Sequence, residues 1–260
     1  MKAQLIFGFD FLNALNIELG ALIVSMAAVF LAGIIRGYSG FGFAMVAVTS
    51  MSLVLAPSVV VPTVLILEVL ASIRLLPQVW KDIDWRSLRW LLIGSVVGIP
   101  FGVSLLATIP PAPMRMSISL MVLIAAILLM YGFAWKRMPG IILILVTGLA
   151  SGMLNGAAAI GGPPVILFYL SSPAGVTVSR ASIVAYFLGI DTLCLVMAAI
   201  HGLTTTKTLY LAAFCLLPLH FGITVGSRMF VKVDQASFRH HVLILLILLS
   251  IAGLLRSVLF

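Results

Sequence analysis

Charged residues are scarce in this sequence: Asp, Glu, Lys and Arg make up 8% of its 260 residues, whereas hydrophobic residues make up 63%. Soluble domains contain about a quarter charged residues and roughly half apolar residues. The composition therefore excludes an ordinary soluble domain. It predicts an all-α polytopic membrane protein, because a helix pairs its own backbone groups inside the bilayer.

Cysteine is nearly absent as well. Cys194 and Cys215 each lie inside an apolar run, so the sequence has neither a disulfide framework nor a metal motif, and we predict no metal and no cofactor. Acidic residues are few, 7 against 15 basic ones, for a formal net charge of +8. The basic residues are dispersed and form no basic stripe. We therefore expect no nucleic-acid partner, and membrane topology accounts for the charge.

The N-terminal segment lacks the pattern of a cleaved signal peptide. It mixes Lys2, Asp10 and Glu18 with apolar residues. We predict that residues 1–18 are retained as an interfacial segment.

Apolar runs of about 20 residues are long enough to cross a bilayer. Six such runs are predicted as ordinary spans, near residues 57–78, 91–107, 114–133, 180–200, 209–227 and 241–258. Two further apolar blocks, 19–55 and 140–171, are too long for one untilted helix, and each contains a glycine-rich interruption. Each block is predicted as a broken or re-entrant helical hairpin.

The two interruptions are Gly37–Phe43 in the first block and Asn155–Pro164 in the second. Such breaks survive in hydrocarbon mainly where the freed backbone groups line a cavity or meet a ligand. Their matching places in the two halves are typical of secondary transporters, which bind their solute at broken helices. The structural alternative is close helix packing by small residues, which would not favour the adjacent prolines Pro163 and Pro164.

Basic residues cluster in four predicted loops, near 78–90, 134–139, 172–180 and 228–241. Positive loops stay on the cytoplasmic side, so we predict these loops inside, with 134–139 as a cytoplasmic connector. The 140–171 block then enters and leaves the membrane on the same side.

The two halves of the chain resemble each other. Gly33–Gly37 matches Gly148–Gly152, for example. Because corresponding loops are predicted on opposite sides of the membrane, the duplication is an inverted repeat. We predict a first transmembrane repeat over 19–133 and a second over 140–260, each made of one hairpin and three transmembrane helices.

Four segments follow one another in a characteristic order: Arg36–Phe43, Asp84–Arg86, Gly152–Gly156 and Gly161–Pro164. In this order they resemble the sulfite exporter TauE/SafE family, and the resemblance covers residues 19–258. It implies a multi-pass transporter of the bacterial or archaeal inner membrane that exports small sulfur-containing anions, such as sulfite or organosulfonates. The resemblance supports the transporter class more directly than it supports sulfite as the substrate.

The two breaks are predicted to bind the anion, because helix N-termini expose amide donors and carry partial positive charge. The predicted substrate-binding residues are Arg36, Ser39, Gly40, Phe41, Gly42, Asn155, Gly156, Gly161, Gly162 and Pro163. Arg36 is the candidate specificity charge, since a guanidinium can bind a sulfonate or carboxylate with two hydrogen bonds; alternatively it snorkels to the interface. Ser39 either donates to the anion or satisfies a carbonyl freed by the break.

Two carboxylates, Glu68 and Asp191, fall mid-span at equivalent positions after the two hairpins. Intramembrane carboxylates are costly and usually functional, often as proton relays. Each is therefore a candidate proton carrier coupled to anion movement. The alternative is a carboxyl group that supports the site through hydrogen bonds to the hairpin backbone. Arg74 and His220 are predicted to be structural, the first snorkelling and the second packing between helices.

Two other functions fit parts of the pattern. Gly37–Gly40 matches the GxSG motif of intramembrane serine proteases, with His220 as a partner for Ser39, but the second break has no such serine, and we do not expect an enzyme. An anion channel would use the same anion-binding site at the two breaks, but without alternating access. We favour a carrier whose partners are a small anion and the lipid bilayer; a homo-oligomer is compatible with the sequence.

Overall fold

The computed structural model describes residues 18–131, 139–170, 175–229, 244 and 246–255. All regular structure in these residues is helical. The α-helices are α1 (Leu19–Ser39), α2 (Phe43–Ser52), α3 (Pro57–Val79), α4 (Trp85–Thr108), α5 (Pro111–Tyr131), α6 (Ile141–Ala158), α7 (Gly162–Leu170), α8 (Val176–Ile200), α9 (Thr206–Met229) and α10 (Leu246–Leu255). Seven of them, α1, α3, α4, α5, α6, α8 and α9, are long and apolar enough to cross a membrane. The prediction of an all-α polytopic membrane protein is confirmed.

The predicted spans correspond to five long helices, α3, α4, α5, α8 and α9, and to the described part of α10. Both long apolar blocks are broken where the glycines predict, the first between α1 and α2 and the second between α6 and α7. The predicted interfacial segment at 1–18 lies outside the described residues except for Glu18. The predicted connector at 134–139 lies outside them except for Pro139.

Helix α4 begins earlier than predicted. The sequence predicts a loop near residues 78–90, whereas the helix begins at Trp85. Asp84 explains the difference: its carboxylate accepts hydrogen bonds from the backbone N–H groups of Arg86 at 3.1 Å and Ser87 at 3.5 Å. A side-chain cap of this kind satisfies donors that a helix start leaves unpaired. The prediction that this whole segment is a loop is wrong.

Two helix pairs share the most extensive contacts, α4 with α6 and α1 with α9. Glycines line both interfaces, and a Cβ atom added to any of them would meet the backbone of the opposite helix. They are Gly94, Gly98 and Gly102 on α4, Gly148, Gly152 and Gly156 on α6, Gly33 and Gly37 on α1, and Gly222 and Gly226 on α9. Small residues allow membrane helices to approach at backbone distance, which explains why these helices pair.

After these two pairs, the most extensive contact between helices joins α3 to α8. These two helices also pack on the glycine-lined pairs, since α8 contacts α4 and α3 contacts α9. They carry the two intramembrane carboxylates, and the short helices α2 and α7 pack against them. The polar residues predicted from the sequence are therefore collected around α3 and α8.

Candidate functional site

The first break is a turn of three residues between α1 and α2. Gly40 and Gly42 both adopt left-handed backbone conformations, with φ of 81° and 87°. This region costs a residue with a side chain roughly 1–2 kcal/mol, whereas glycine enters it freely. The Gly40 N–H donates to the Arg36 carbonyl at 2.8 Å and so closes the end of α1. The glycines are thus required by the backbone of the break itself.

Arg36 lies behind this turn and is fully buried, with 0% of its surface exposed. Its Nη1 atom is 2.7 Å from Glu68 Oε2 on α3. Its Nη2 atom donates to Ser72 Oγ at 2.8 Å, and its Cζ atom lies 5.2 Å from the centroid of the Phe187 ring. Arg36 therefore does not snorkel. It forms a buried ion pair, with a cation–π contact from α8.

Glu68 connects the ion pair to the start of α2. Its second oxygen, Oε1, accepts a hydrogen bond from the Ala44 N–H at 3.2 Å. Ala44 is in the first turn of α2, where unpaired amides and the helix dipole favour a negative charge. One carboxylate thus holds three helices together: α1 through Arg36, α2 through Ala44, and α3, to which it belongs.

The second break, between α6 and α7, is held by side chains of α6. Ala159 ends the helix with φ of 56°. Asn155 Oδ1 accepts from the Gly161 N–H at 3.0 Å, and Ser151 Oγ donates to the Gly161 carbonyl. Pro163 falls in the first turn of α7, where an absent N–H costs no hydrogen bond.

Asp191 on α8 supports the second break through Asn155. The Asn155 Nδ2 group donates to Asp191 Oδ1 at 2.8 Å and lies 3.3 Å from Cys194 Sγ. Asp191 is 1% exposed, and its Oδ2 atom has no hydrogen-bond partner among the described residues. Glu68 and Asp191 are thus each connected to one of the two breaks, but only Glu68 has a cation at ion-pair distance in the described part of the chain.

Phe187 joins the two breaks. Its ring contacts Arg36, which lies beside the first break. Its ring also lies against Gly162 of the second, where an added Cβ would be 3.2 Å from Phe187 Cζ. Asp191 interacts electrostatically with both Glu68 and Arg36. The structure therefore brings the two predicted clusters together around one aromatic ring.

Arg180 is a neighbour of the first break that the sequence analysis missed. It was assigned to a cytoplasmic loop at 172–180, but it lies in the first turns of α8. Its side chain covers Gly40, where an added Cβ would lie 3.1 Å from Arg180 Cγ and Nε. It is half-buried and interacts electrostatically with Arg36. Two guanidinium groups therefore flank the glycine turn, one sealed and one partly accessible.

The other predicted site residues differ in their surroundings. Phe41 is half-buried at the first turn, and Gly161 and Pro163 are buried at the second. Gly156 instead lies inside the α4–α6 interface, where an added Cβ would meet Ile99 O at 2.6 Å, so its surroundings favour the packing role. The side chain of Ser39 is outside the described part of the structure. No group of three or more His, Cys, Asp or Glu residues in the described ranges could hold a metal ion.

Replacing Asn155 by alanine is expected to lower the free energy of unfolding by about 1–3 kcal/mol, because the buried Gly161 N–H and Asp191 carboxylate each lose a partner. Thermal unfolding in detergent measures the change. Thr147→Ala is the matched control on α6: its hydroxyl is exposed and bonds only to the Leu143 carbonyl of its own helix. Equal melting temperatures for the two variants would show that Asn155 does not hold the second break.

In the described part of the chain, seven helices of spanning length and two helix breaks with buried polar residues define the architecture of a polytopic membrane protein. Comparison with known proteins gives the family. The chain belongs to the family described as Sulfite exporter TauE/SafE, whose family model matches residues 25–253. The resemblance inferred from the motifs is confirmed, and the chain is a multi-pass protein of a membrane transporter family, consistent with the inner membrane.

A relative from Cupriavidus necator carries the name "Probable sulfite/organosulfonate exporter TauE". It is 26% identical to this chain over 200 residues, which cover 73% of this chain and 77% of the relative. No solved structure gives a significant match to the chain.

Proposed function

We propose that this protein is a secondary transporter that exports small sulfur-containing anions, such as sulfite or organosulfonates, by alternating access. The observation that carries the proposal is the convergence of both helix breaks on Phe187, whose ring contacts Arg36 beside the first break and lies against Gly162 of the second. Transporters built from repeats bind their solutes where broken helices of the two halves meet. Membership of the family and the name of the relative support the substrate class.

The anion would bind at the Gly40–Gly42 turn. The first-turn amides of α2 other than that of Ala44, which donates to Glu68, supply hydrogen-bond donors there. Arg180, which lies over Gly40, supplies a partly accessible guanidinium. Arg36 adds a fixed positive charge behind the turn, where its Nη1 atom is paired with Glu68 and its Nη2 atom donates to Ser72. This division explains how the site remains attractive to an anion while its most buried cation is neutralised.

The helix pairing supports the predicted inverted repeat. In the proposed repeats over 19–133 and 140–260, α1 corresponds to α6 and α4 to α9. The pair α1–α9 then corresponds to α6–α4, and these are the two glycine-lined interfaces. Each interface joins one helix from each repeat. We therefore propose that the units that move during transport are these two tightly packed pairs, with their neighbours, and not the two halves of the chain.

Asp191 is the proposed proton carrier, and Glu68 the proposed structural support. Glu68 is paired with Arg36 and accepts from the Ala44 N–H, whereas the Oδ2 atom of Asp191 has neither a hydrogen-bond partner nor a cation at ion-pair distance among the described residues. Protonation would neutralise a buried carboxylate that has no cation beside it. Sulfite efflux from proteoliposomes should therefore respond to an imposed pH gradient in the native protein but not in Asp191→Asn. A native rate that is flat across the gradient would remove proton coupling.

The substitution Arg180→Gln is expected to weaken sulfite binding by about 10-fold or more, because a hydrogen bond to a charged group contributes about 1.5–3 kcal/mol. Binding is measured as the rise in melting temperature across a panel of sulfite, an alkanesulfonate, sulfate and a small carboxylate, since a ligand stabilises the state that binds it. Arg89→Gln is the control; it removes the same charge from an exposed position on α4.

Selective stabilisation by one anion in the native protein and in Arg89→Gln, but not in Arg180→Gln, supports the proposed site. An equal response in both variants would exclude Arg180 from it. Flux in proteoliposomes then tests the carrier itself: a carrier saturates at a rate set by its conformational cycle, on microsecond to millisecond or longer timescales. Much faster, non-saturating flux would indicate the anion channel instead.

A further inference from the structure

A polar cluster of Arg74, His220 and Thr224 joins α3 to α9. Between α3 and α9 there is a groove of about 280 Å³ whose lining includes Arg74 and His220. Most of its other lining residues are apolar, and Leu70, Leu216 and Leu217 among them are 41%, 40% and 67% exposed. In a membrane these leucines face lipid. The groove thus combines an apolar floor with a cation.

Arg74 does not extend freely toward the interface, as snorkelling would require. Its Nη1 atom is 3.1 Å from His220 Nδ1 and donates to the His220 carbonyl at 3.4 Å. Its Nη2 atom donates to Thr224 Oγ1 at 3.2 Å. Three contacts therefore hold the guanidinium against α9, where it lines the groove.

All three of these partners are neutral. Because arginine can only donate hydrogen bonds, His220 Nδ1 accepts, and the ring carries its proton on Nε2, where it is a second donor. The one ion pair among the described residues joins Arg36 to Glu68, so no described carboxylate neutralises Arg74. A charge at the edge of the apolar region is costly without a counter-ion.

The depth of the cluster matches that of lipid headgroups. Arg74 lies five residues before the end of α3 at Val79, which corresponds to about 8 Å along the helix axis. The predicted topology places that end on the cytoplasmic side. Basic pockets between membrane helices on this side are suited to anionic lipid headgroups.

We propose that this groove is a binding site for an anionic phospholipid of the cytoplasmic leaflet. The headgroup phosphate would accept hydrogen bonds from the guanidinium of Arg74, which suits phosphate geometry, and from His220 Nε2. One acyl chain would lie along Leu70, Leu216 and Leu217. This site is separate from the proposed transport site and does not depend on its function.

The test compares the binding of two lipids to the purified, delipidated full-length protein. Melting temperature is followed while phosphatidylglycerol or phosphatidylcholine is titrated into the detergent. We expect phosphatidylglycerol to stabilise both the native protein and Arg89→Gln. The substitution Arg74→Gln should weaken the apparent affinity for phosphatidylglycerol by about 10-fold or more. His220→Phe keeps an aromatic ring and removes the Nε2–H donor, so it should weaken that affinity less than Arg74→Gln does. It replaces Arg74→Gln in the test if that variant does not fold.

Three results would overturn the proposal. Equal stabilisation by the two lipids would show that no anionic headgroup is recognised. An unchanged response to phosphatidylglycerol in both Arg74→Gln and His220→Phe would place the lipid elsewhere. Stabilisation by inorganic phosphate or sulfite that is lost in Arg74→Gln, with none from phosphatidylglycerol, would identify the groove as a site for a soluble anion.

Discussion

Replacing Glu68 by alanine is expected to lower the free energy of unfolding by about 3–5 kcal/mol, the cost of removing one partner from a buried ion pair. Arg36 is fully enclosed and its Nη1 atom lies 2.7 Å from Glu68, so the variant would leave a guanidinium without a counter-ion in the protein interior. The Ala44 N–H at the start of α2 would lose its acceptor too. Unfolding in detergent, by heat or denaturant, measures the loss.

Two further variants make this result interpretable. Glu18→Ala removes an exposed carboxylate just before α1 that caps nothing, and a surface substitution of this kind should change stability by less than about 0.5 kcal/mol. The double variant Arg36→Met, Glu68→Leu removes both charges and should be more stable than Glu68→Ala, because no isolated charge remains. If Glu68→Ala is as stable as Glu18→Ala, the buried ion pair does not support the fold.

The same double variant separates two roles for Arg36. If Arg36 only supports the first break and contributes a positive electrostatic potential there, the folded double variant should still be stabilised by the transported anion, although less strongly. If Arg36 binds the anion directly, as the sequence analysis predicts, that stabilisation should disappear. Comparison with Arg180→Gln then shows which guanidinium the anion contacts.

Much of this arrangement could be predicted from the sequence, because the bilayer limits what a chain can do. Apolar length gives the spans, and glycines within two long apolar blocks give the breaks at Gly40 and Gly161. Glu68 and Asp191 stand out because carboxylates are costly in hydrocarbon. These signals are local in the chain, so they need no knowledge of which helices are neighbours.

What the sequence could not give is the partnership between distant residues. Glu68 and Arg36 are each conspicuous, but nothing local shows that one neutralises the other or that Glu68 also binds Ala44. Arg180 was missed for a related reason: a topology rule accounts for any basic residue near a loop, so its position over Gly40 produced no separate signal. The start of α4 differs from the prediction because the basic residues near 78–90 indicate a loop, whereas the side chain of Asp84 caps a helix within that segment.

Replacing Gly98 by valine is expected to have an effect comparable with that of losing Glu68. Gly98 is in the middle of the α4–α6 interface, and a Cβ atom there would meet the carbonyl oxygen of Leu149 and the nitrogen of Met153 at 2.8 Å. Backbone atoms cannot move aside as the end of a flexible side chain can. Overpacking a well-packed site costs about 1–3 kcal/mol and occasionally more, and we expect the upper end or a failure to fold.

The matched control is Gly20→Val, in the first turns of α1, where an added Cβ has no atom within 4 Å. Both variants add the same side chain to a helix, so propensity costs are similar and the difference isolates the interface. Yield of monodisperse protein and melting temperature are the measurements. Gly152→Val, on the opposite face of the same interface, should reproduce the Gly98→Val defect, since its added Cβ would meet Ser95 O and would lie 2.8 Å from Ser95 Cα.

A graded series links this interface to transport. Gly98→Ala adds only the Cβ atom and should separate α4 from α6 slightly while leaving a fraction of the protein folded. If α4 and α6 move as one unit, as we propose, the folded molecules should bind the anion at the first break with unchanged affinity, and the transport rate of the preparation should fall only in proportion to the fraction of protein that is folded. A large gain or loss of affinity in Gly98→Ala would mean that α4 and α6 shift against each other during the cycle, and the moving units would have to be redrawn.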